Sequence, residues 1–380
     1  MSSAASRFRR NEANGAESLS PNRLIDRTRV LRDHPFTGSS EGALSTERRP
    51  ATAEAQRAIH TIAMTAPPLY LTREAARLGS ARDLRRSAQR GDLVRVATGV
   101  YINSGEWRAM DADARYRTQV RSAALLSSHG TQFSHDSAAA LYRLPSIGSW
   151  PQQVHELTAR SAGGTSRRGI RRHGLGLDED PTVIGDVTVT SLARTIVDLS
   201  CTTPFVRAVT MADAALQEPR ATGIRAELGV PAVTQFQLLQ ALGSLLPYPG
   251  SARARLAIEF ADGSSGSPGE SFCRVQFHAL GLPAPELQVE IFDEFGSIGF
   301  ADFYWPHLGL VCEYDGRSKY GARRQFQRNI SGEQVLWQEK VREDRMRRVV
   351  AGFARLTSEV VRDRHALADY LRPYGLVPQR

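Results

Sequence analysis

The stretch FADFYWPHLGLVCEYDG, residues 300–316, indicates how the C-terminal part of this chain folds. Two runs of aromatic and branched residues flank a turn with proline and glycine, which is typical of two antiparallel β-strands. Because alternate residues of a strand share a face, Asp302 and Glu313 each lie among large apolar neighbours. If the strands pair through the short turn, the two carboxylates lie side by side.

A helix and a further strand are predicted before this stretch. Glu270 lies in the first turn of the predicted helix, ESFCRVQFHALG, which Gly281 ends. The core face of this helix is predicted to consist of Phe272, Val275, Ala279 and Leu280. The segment LQVEIFD, residues 287–293, is predicted as a strand that turns into the strand carrying Asp302. The sequence thus predicts carboxylates on neighbouring elements.

Carboxylates gathered on a mostly buried sheet repel one another and lose hydration, so they need a positive partner. Mg²⁺ or Mn²⁺ is one such partner, because divalent cations of this kind take oxygen ligands and activate water beside a phosphodiester. Nearby arginines are the other partner, in an ordinary ion-pair network. The residues leave both alternatives open.

Residues 268–360 resemble the very-short-patch-repair-like (Vsr-like) branch of the PD-(D/E)xK nuclease superfamily. The matching pieces are Glu270, Asp302 in FADFYW, Glu313 in EYDG, and the later EKVREDRMRRVVAGFARLT. The resemblance implies a restriction-endonuclease-like α/β domain at residues 268–375 and a metal site formed by Glu270, Asp302 and Glu313. It also implies a Mg²⁺- or Mn²⁺-dependent DNA endonuclease.

One position departs from the superfamily pattern. The superfamily has a lysine two residues after the acid that corresponds to Glu313, and this sequence has Asp315 at that position. Lys319 and Lys340 are candidates to supply the missing cation, and Lys340 is our predicted catalytic partner of Asp302 and Glu313. If neither lysine reaches the acids, the site is inactive. The alternative for the charged helix with Lys340 is a solvated face.

Residues 67–108 predict a winged helix-turn-helix. The segment LTREAARLG predicts a helix with Thr72 as N-cap, and SARDLRRSAQRG predicts a second helix that Gly91 ends. DLVRVATGVYI then predicts a β-hairpin, the wing. The second helix carries the predicted DNA-binding residues on its outer side: Arg82, Arg85, Arg86, Gln89 and Arg90. Arginines on such a helix neutralise phosphates or pair with guanine edges. The alternative is a small module with solvated arginines that packs on the next domain.

The same segment resembles the N-terminal domain of AbiEi-type antitoxins of bacterial type IV toxin–antitoxin systems. The resemblance depends on LTREAARLG, LRRSAQRGDLVRVATGVYI and Trp107, and TSLARTIVDL resembles the segment that follows in that family. It implies binding to the protein's own promoter, and a cognate toxin as a further partner.

Composition limits the remaining possibilities. The chain has 380 residues and a formal net charge of +9, which favours a polyanionic partner. Three cysteines lie far apart without CxxC or Cys/His spacing, which argues against zinc and for a reducing compartment. Since no run of about 18 apolar residues occurs, we expect no membrane segment and a cytoplasmic location. Residues 1–66 are predicted to be a disordered basic arm, with Met1 and Met64 both open as translation starts.

The middle of the chain, residues 109–262, predicts a bridging α/β domain. HDSAAALYRLP predicts a helix, VHELTAR a strand, and GDVTVTSLARTIVDLS a strand followed by a helix. His135 and Asp136 are acid–base candidates, although residues of this kind more commonly begin a helix. GSSGSPG, residues 263–269, predicts a linker.

The sequence therefore predicts an α/β multidomain DNA-binding protein. Two functions remain open: a metal-dependent DNA endonuclease, and a non-enzymatic transcriptional repressor or antitoxin-like protein.

Overall fold

The computed structural model describes residues 67–77, 81–160, 166, 169–218, 224–316 and 332–379. Within them the chain has a mixed α/β fold with three β-sheets. The predicted arm at 1–66 and Lys319 lie outside the described residues.

The N-terminal elements form a small sheet with two helices. In chain order they are β1 (Tyr70–Leu71), α1 (Thr72–Arg77), α2 (Ala81–Arg90), β2 (Leu93–Ala97) and β3 (Val100–Asn103). The strands pair antiparallel in the order β1-β3-β2. The hairpin turns at Gly99, whose φ of +76° is a conformation that glycine adopts without strain. The predicted second helix and hairpin are thus confirmed, and α1 begins at Thr72 itself.

The middle of the chain builds a five-stranded sheet. Its elements are α3 (Ser104–Ala109), α4 (Ala112–Leu126), β4 (Gln132–Phe133), α5 (His135–Leu141), β5 (Val154–Leu157), β6 (Ile170–His173), β7 (Thr182–Ile184) and β8 (Val187–Val189). The strand order is β6-β5-β4-β8-β7, and β5 with β6 and β4 with β8 are parallel. The predicted helix at HDSAAAL and the strand at VHEL are confirmed.

Five helices follow this sheet. They are α6 (Leu192–Thr202), α7 (Phe205–Leu216), α8 (Ile224–Glu227), α9 (Gln235–Ser244) and α10 (Ser251–Phe260). Helices α6 and α7 are buried along most of their length, and in α6 the buried Arg194 and Asp198 pair with each other at 2.9 Å. Their side chains join the sheet in one core that includes Phe133, Val189, Ile196 and Met211.

The C-terminal part places helices on both faces of a four-stranded sheet. Its elements are α11 (Pro268–Ala279), β9 (Glu286–Asp293), β10 (Gly296–Trp305), β11 (Leu310–Asp315), α12 (Gly332–Val349), β12 (Gly352–Thr357), α13 (Ser358–Arg362) and α14 (Arg364–Leu371). The strand order is β12-β11-β10-β9, with β12 parallel to β11 and the other pairs antiparallel.

The two faces of this sheet have separate cores. Phe303 and Cys312 pack with Phe277 of α11, whereas Tyr304 and Val311 pack with Met346 of α12. This follows from the alternation of the quoted stretch, since neighbouring residues of a strand face opposite sides. The predicted pair of strands is confirmed.

Helix α11 also contacts the middle of the chain, and this contact changes the predictions for the linker at 263–269 and for the core face of α11. Arg274 Nη1 lies 2.7 Å from Asp213 Oδ2 of α7, and Val275 packs with Ala208 and Val209. The stretch at 263–269 is therefore a packed connection rather than a free linker. The predicted core face was partly wrong, because contacts on two sides bury Cys273 through Phe277 while Ala279 is exposed.

Among the residues that the structure describes, no helix is both long enough and apolar enough to cross a membrane.

Candidate functional site

Asp302 and Glu313 lie opposite each other on adjacent strands. The strand register pairs Phe303 with Cys312 and Tyr304 with Val311, and its continuation pairs Asp302 with Glu313. The Asp302 carboxylate accepts a hydrogen bond of 2.9 Å from the backbone N–H of Tyr314. The side-by-side placement predicted from the alternation is therefore confirmed.

Gln288 joins Asp302 to the third acid, Glu270. Its side-chain amide donates to Glu270 Oε2 at 3.0 Å and to Asp302 Oδ1 at 3.3 Å. Gln288 lies opposite Asp302 on β9 and has a φ of +49°, a conformation few non-glycine residues adopt. Strained backbone of this kind persists where the surroundings hold it and occurs often at functional sites.

Glu270 also has a structural role at the start of α11. It is 3% exposed and accepts hydrogen bonds from the Gly266 N–H at 2.7 Å and from the Ser267 hydroxyl at 2.8 Å. Ser267 is the N-cap and accepts from the Glu270 N–H. This reciprocal arrangement satisfies amides that a helix start leaves unpaired.

Two arginines meet Glu313. Arg342 Nη2 of α12 lies 2.7 and 2.9 Å from the two carboxylate oxygens, and Arg355 Nη2 of β12 lies 3.7 Å from Oε2. Glu313 is 7% exposed, so these cations supply the charge that its burial requires. Arg355 also lies 3.6 Å from Asp315 and 2.7 Å from Glu343.

The electrostatics of this network follow from burial and charge. Burial raises the pKa of Glu313, the Arg342 charge opposes that rise, and the Asp302 charge adds to it. Burial lowers the pKa of Arg342, but hydrogen bonds to Glu339 and the charge of Glu313 outweigh burial and raise it. Arg342 is therefore a permanent cation on Glu313.

Lys340 does not share the position of Arg342. Its side chain is exposed, and two residues of helix turn it about 200° from Arg342, at roughly 100° a residue. Helix α12 thus brings Arg342, and not Lys340, to Glu313. Asp315, at the position of the expected lysine, pairs with Arg355.

Gly269 allows the ring of Tyr314 to pack on the first turn of α11. A Cβ at Gly269 would lie 1.9 Å from Tyr314 Cε1, so no other residue fits without displacing the ring. Because the Tyr314 N–H holds Asp302, this close approach positions the acids relative to α11.

Gln288 links Glu270 to Asp302, which lies beside Glu313, but the oxygens of the three acids do not all lie within 4.8 Å of one another, and each acid is already hydrogen-bonded or paired. Within the described ranges, the group of potential ligand atoms that lie within 4.8 Å of one another consists of three histidines instead, His135, His155 and His173. Cation binding at the three acids would have to displace Arg342 from Glu313 and reorient Gln288.

The predicted DNA-binding residues of α2 all face solvent. These residues are Arg82, Arg85, Arg86, Gln89 and Arg90. Arg86 lies 3.9 Å from Asp83, and Arg90 lies 3.0 Å from Asp92. Leu84 and Ala88 on the opposite side are partly buried, as the helical spacing predicts. One face of α2 therefore presents a row of cations and an amide.

Sequence reasoning missed Gln288, Arg342 and Arg355 at the acidic site. Gln288 precedes Asp302 by 14 residues and Arg342 follows Glu313 by 29, so no short motif connects them. It also missed His155 and His173, which the strand pairing brings to His135. A signal for Arg355 existed, because it lies in EKVREDRMRRVVAGFARLT, one of the segments on which the nuclease resemblance depends.

No family model matches the chain. Two proteins of Mycobacterium tuberculosis described as uncharacterized, from strains CDC 1551 / Oshkosh and ATCC 25618 / H37Rv, are each 41% identical over 66 residues, which is 17% of this chain. The chain spans 24% of the length of these curated relatives. A crystal structure of the RV2827C protein from the same species has a TM-score of 0.33 and 15% identity, covering 59% of this chain and 81% of that one.

Proposed function

We propose that this protein binds DNA through α2 and that its C-terminal domain has a nuclease-like topology without catalytic activity. This makes it a non-enzymatic DNA-binding regulator of the repressor or antitoxin type. The observation that carries the proposal is the pairing of Glu313 with Arg342, at 2.7 and 2.9 Å, where a metal-dependent nuclease needs a ligand for its cation.

The exposed face of α2 supports the DNA-binding part. Its arginines project from a helix beside a β-hairpin, which is the arrangement of a winged helix-turn-helix. When exposed arginines contact the phosphates of DNA, counterions are released from the DNA. The ion pairs of exposed arginines are weak, so little Coulomb energy is lost when these arginines turn to a phosphate.

The C-terminal domain supports the second part of the proposal, a nuclease-like topology without catalytic activity. Its order of helix, three strands, helix and parallel strand agrees with the nuclease superfamily that residues 268–360 resemble. However, Glu270 accepts from Gly266 N–H before the N-cap of α11, Asp302 accepts from the Tyr314 backbone, and Glu313 pairs with Arg342. Each acid therefore contributes to the fold.

Incubation of the full chain with supercoiled plasmid and with single-stranded DNA tests the proposal. Parallel samples contain Mg²⁺, Mn²⁺ or EDTA, and gel electrophoresis records both retardation and cleavage. We expect retarded DNA in all three conditions and no nicked or linear product. Nicking that requires Mg²⁺ or Mn²⁺, and that Glu313→Gln abolishes, would contradict the absence of catalysis.

A metal-dependent endonuclease is the second candidate function, favoured by the Gln288 amide that bridges Glu270 and Asp302. That contact connects Glu270 to the Asp302–Glu313 pair on the two central strands. If the protein is an endonuclease, Arg342 leaves Glu313 when Mg²⁺ or Mn²⁺ and DNA bind. The absence of the lysine then limits the rate of DNA cleavage.

Restoring the lysine separates the two candidates. Asp315→Lys places an amine two residues after Glu313, and Asp344→Lys makes the same charge change at an exposed position of α12. Cleavage that appears only in the Asp315 variant supports the endonuclease. If neither variant cleaves DNA under conditions in which both bind it, the non-enzymatic function stands.

A further inference from the structure

Three histidines from three separate elements meet in the middle domain. His135 is the first residue of α5, His155 lies in β5, and His173 ends β6. The parallel pairing of β5 and β6 places His155 opposite Arg171 and Leu157 opposite His173, so both histidines face the same side of the sheet. Each histidine offers a ring nitrogen within 4.8 Å of those of the other two.

One nitrogen of each of these rings has no hydrogen-bond partner among the described residues. Among the residues that the structure describes, His135 Nε2, His155 Nδ1 and His173 Nε2 are buried and make no hydrogen bond. Buried polar atoms are almost always hydrogen-bonded, so three exceptions in one place need an explanation. A cation bound between the rings would provide one.

Burial lowers the pKa of all three rings. Burial, together with the neighbouring charges of His173 and Arg171, lowers the pKa of His155 to about 3. Burial and Arg171 lower the pKa of His173 to about 4, and burial with the other two histidines lowers that of His135 well below its ordinary value. Neutral imidazoles keep a lone pair for a ligand bond.

Groups behind His135 fix its orientation. Its Nδ1 lies 3.0 Å from the Ser134 hydroxyl and 3.8 Å from Asp198 Oδ2, which leaves Nε2 directed into the cluster. Asp136 Oδ2 lies 3.9 Å from His155 Nδ1, which is too far for a hydrogen bond, so it does not occupy this nitrogen. Carboxylates behind metal-binding histidines set the tautomer and raise the basicity of the ligand.

The backbone at His135 supports a special role for this residue. Its φ of +50° is the left-handed region, which a buried non-glycine residue rarely adopts at the start of a helix. Strain of this kind needs compensation from the surroundings and occurs often at ligand sites. The sequence-based interpretation of His135 as an ordinary helix-start residue does not account for it.

We propose that His135, His155 and His173 bind one transition-metal cation of the zinc type. Imidazole nitrogen is a preferred ligand of Zn²⁺, and three histidines leave one of four tetrahedral positions for water or another ligand. This site is distinct from the carboxylates of the C-terminal domain, whose oxygens suit Mg²⁺.

Binding requires one ring to turn. The rings of His135 and His173 are stacked, with centroids 3.8 Å apart and planes at 14°, and two parallel stacked rings do not direct their nitrogens at one tetrahedral ion. His173 is partly exposed at a strand end, so it is the residue that is free to rotate about its side-chain torsions. His135 and His155 are held in the interior.

Titration of the metal-stripped full chain with Co²⁺ and Zn²⁺ tests the proposal. We expect one equivalent of Co²⁺ to bind with visible absorption bands of a tetrahedral site, and excess Zn²⁺ to displace it and to raise the melting temperature by about 3 °C. A parent protein that shows neither the bands nor the Zn²⁺-dependent rise overturns the proposal, whatever the variants do.

Two variants locate the ion. His173→Gln removes the partly exposed ligand, so the chain should still fold and should lose the absorption bands and at least tenfold of the affinity. His129→Gln, an exposed histidine of the same domain, is the matched control and should bind like the parent. Equal binding by His173→Gln and the parent would overturn the assignment of the site, as would loss of binding in the control.

Discussion

Helices α2 and α12 are both rich in arginine, but their guanidinium groups have different surroundings. The side chains of Arg86 and Arg90 in α2 are 69% and 62% exposed, whereas those of Arg342 and Arg345 in α12 are each 25% exposed. Arg342 pairs with Glu313, and Arg345 makes two hydrogen bonds of 2.6 and 2.7 Å to Asp293.

This difference decides what each helix is able to bind. An arginine that neutralises a buried carboxylate stabilises the fold, and its charge is not available to a phosphate. An exposed arginine contributes little to stability and is free to contact a polyanion. The net charge of +9 therefore does not by itself show which cations are accessible to a polyanion, but the exposure and pairing of each cation do.

Arg342→Ala is expected to have the largest effect on stability. It leaves Glu313 buried without its closest cation, which should lower the free energy of unfolding by about 3 kcal/mol. Chemical denaturation with urea measures this value. Arg348→Ala, an exposed arginine of the same helix, is the control and should change stability by no more than about 0.5 kcal/mol. Equal losses of stability in the two variants would contradict the conclusion that Arg342 stabilises the fold by pairing with Glu313.

Glu313→Gln should have an intermediate effect. The amide keeps the shape of the side chain but removes one of the two carboxylates that pair with Arg342, the other being Glu339, so we expect a loss of about 1–2 kcal/mol. Melting temperatures with and without Mg²⁺ or Mn²⁺ provide the check. A rise with millimolar metal in the parent that both Glu313→Gln and Asp302→Asn abolish would instead favour the endonuclease.

Gly269→Ala tests whether the packing of Tyr314 on Gly269 stabilises the acidic site. The added Cβ must displace the ring of Tyr314, and with it the N–H that holds Asp302, so we expect a loss of about 1–2 kcal/mol from overpacking. Gly243→Ala, in a helix where nothing lies within 4 Å of the added atom, should instead be neutral or stabilising. The changes in the free energy of unfolding of the two variants, measured by urea denaturation, should therefore differ in sign or clearly in size.

Local features of the sequence predicted the parts of the site that depend on local geometry. The alternation in 300–316 and its short turn fix the register, so the placement of Asp302 beside Glu313 followed from the residues alone. The partners of Glu313 did not follow, because the rotation of α12 and the parallel pairing of β12 depend on tertiary packing. For the same reason the spacing of His135, His155 and His173 contains no recognisable metal motif.

The smallest stability effect is expected for Arg85→Ala combined with Arg86→Ala. Both side chains are exposed, so the free energy of unfolding should change by no more than about 0.5 kcal/mol. Differential scanning fluorimetry of the double variant checks this value. A fall in melting temperature comparable to that of Arg342→Ala would mean that α2 uses these arginines to hold the fold together.

The same double variant most directly tests the central proposal, that α2 binds DNA through its solvent-exposed arginines. The measurement is the affinity for duplex DNA between 50 and 200 mM salt, for the parent, the α2 double variant and Arg348→Ala. Removing two phosphate contacts should weaken binding and reduce the slope of log K against log salt by about 2, while Arg348→Ala leaves the slope unchanged. An α2 double variant whose affinity and slope equal those of the parent would contradict the claim.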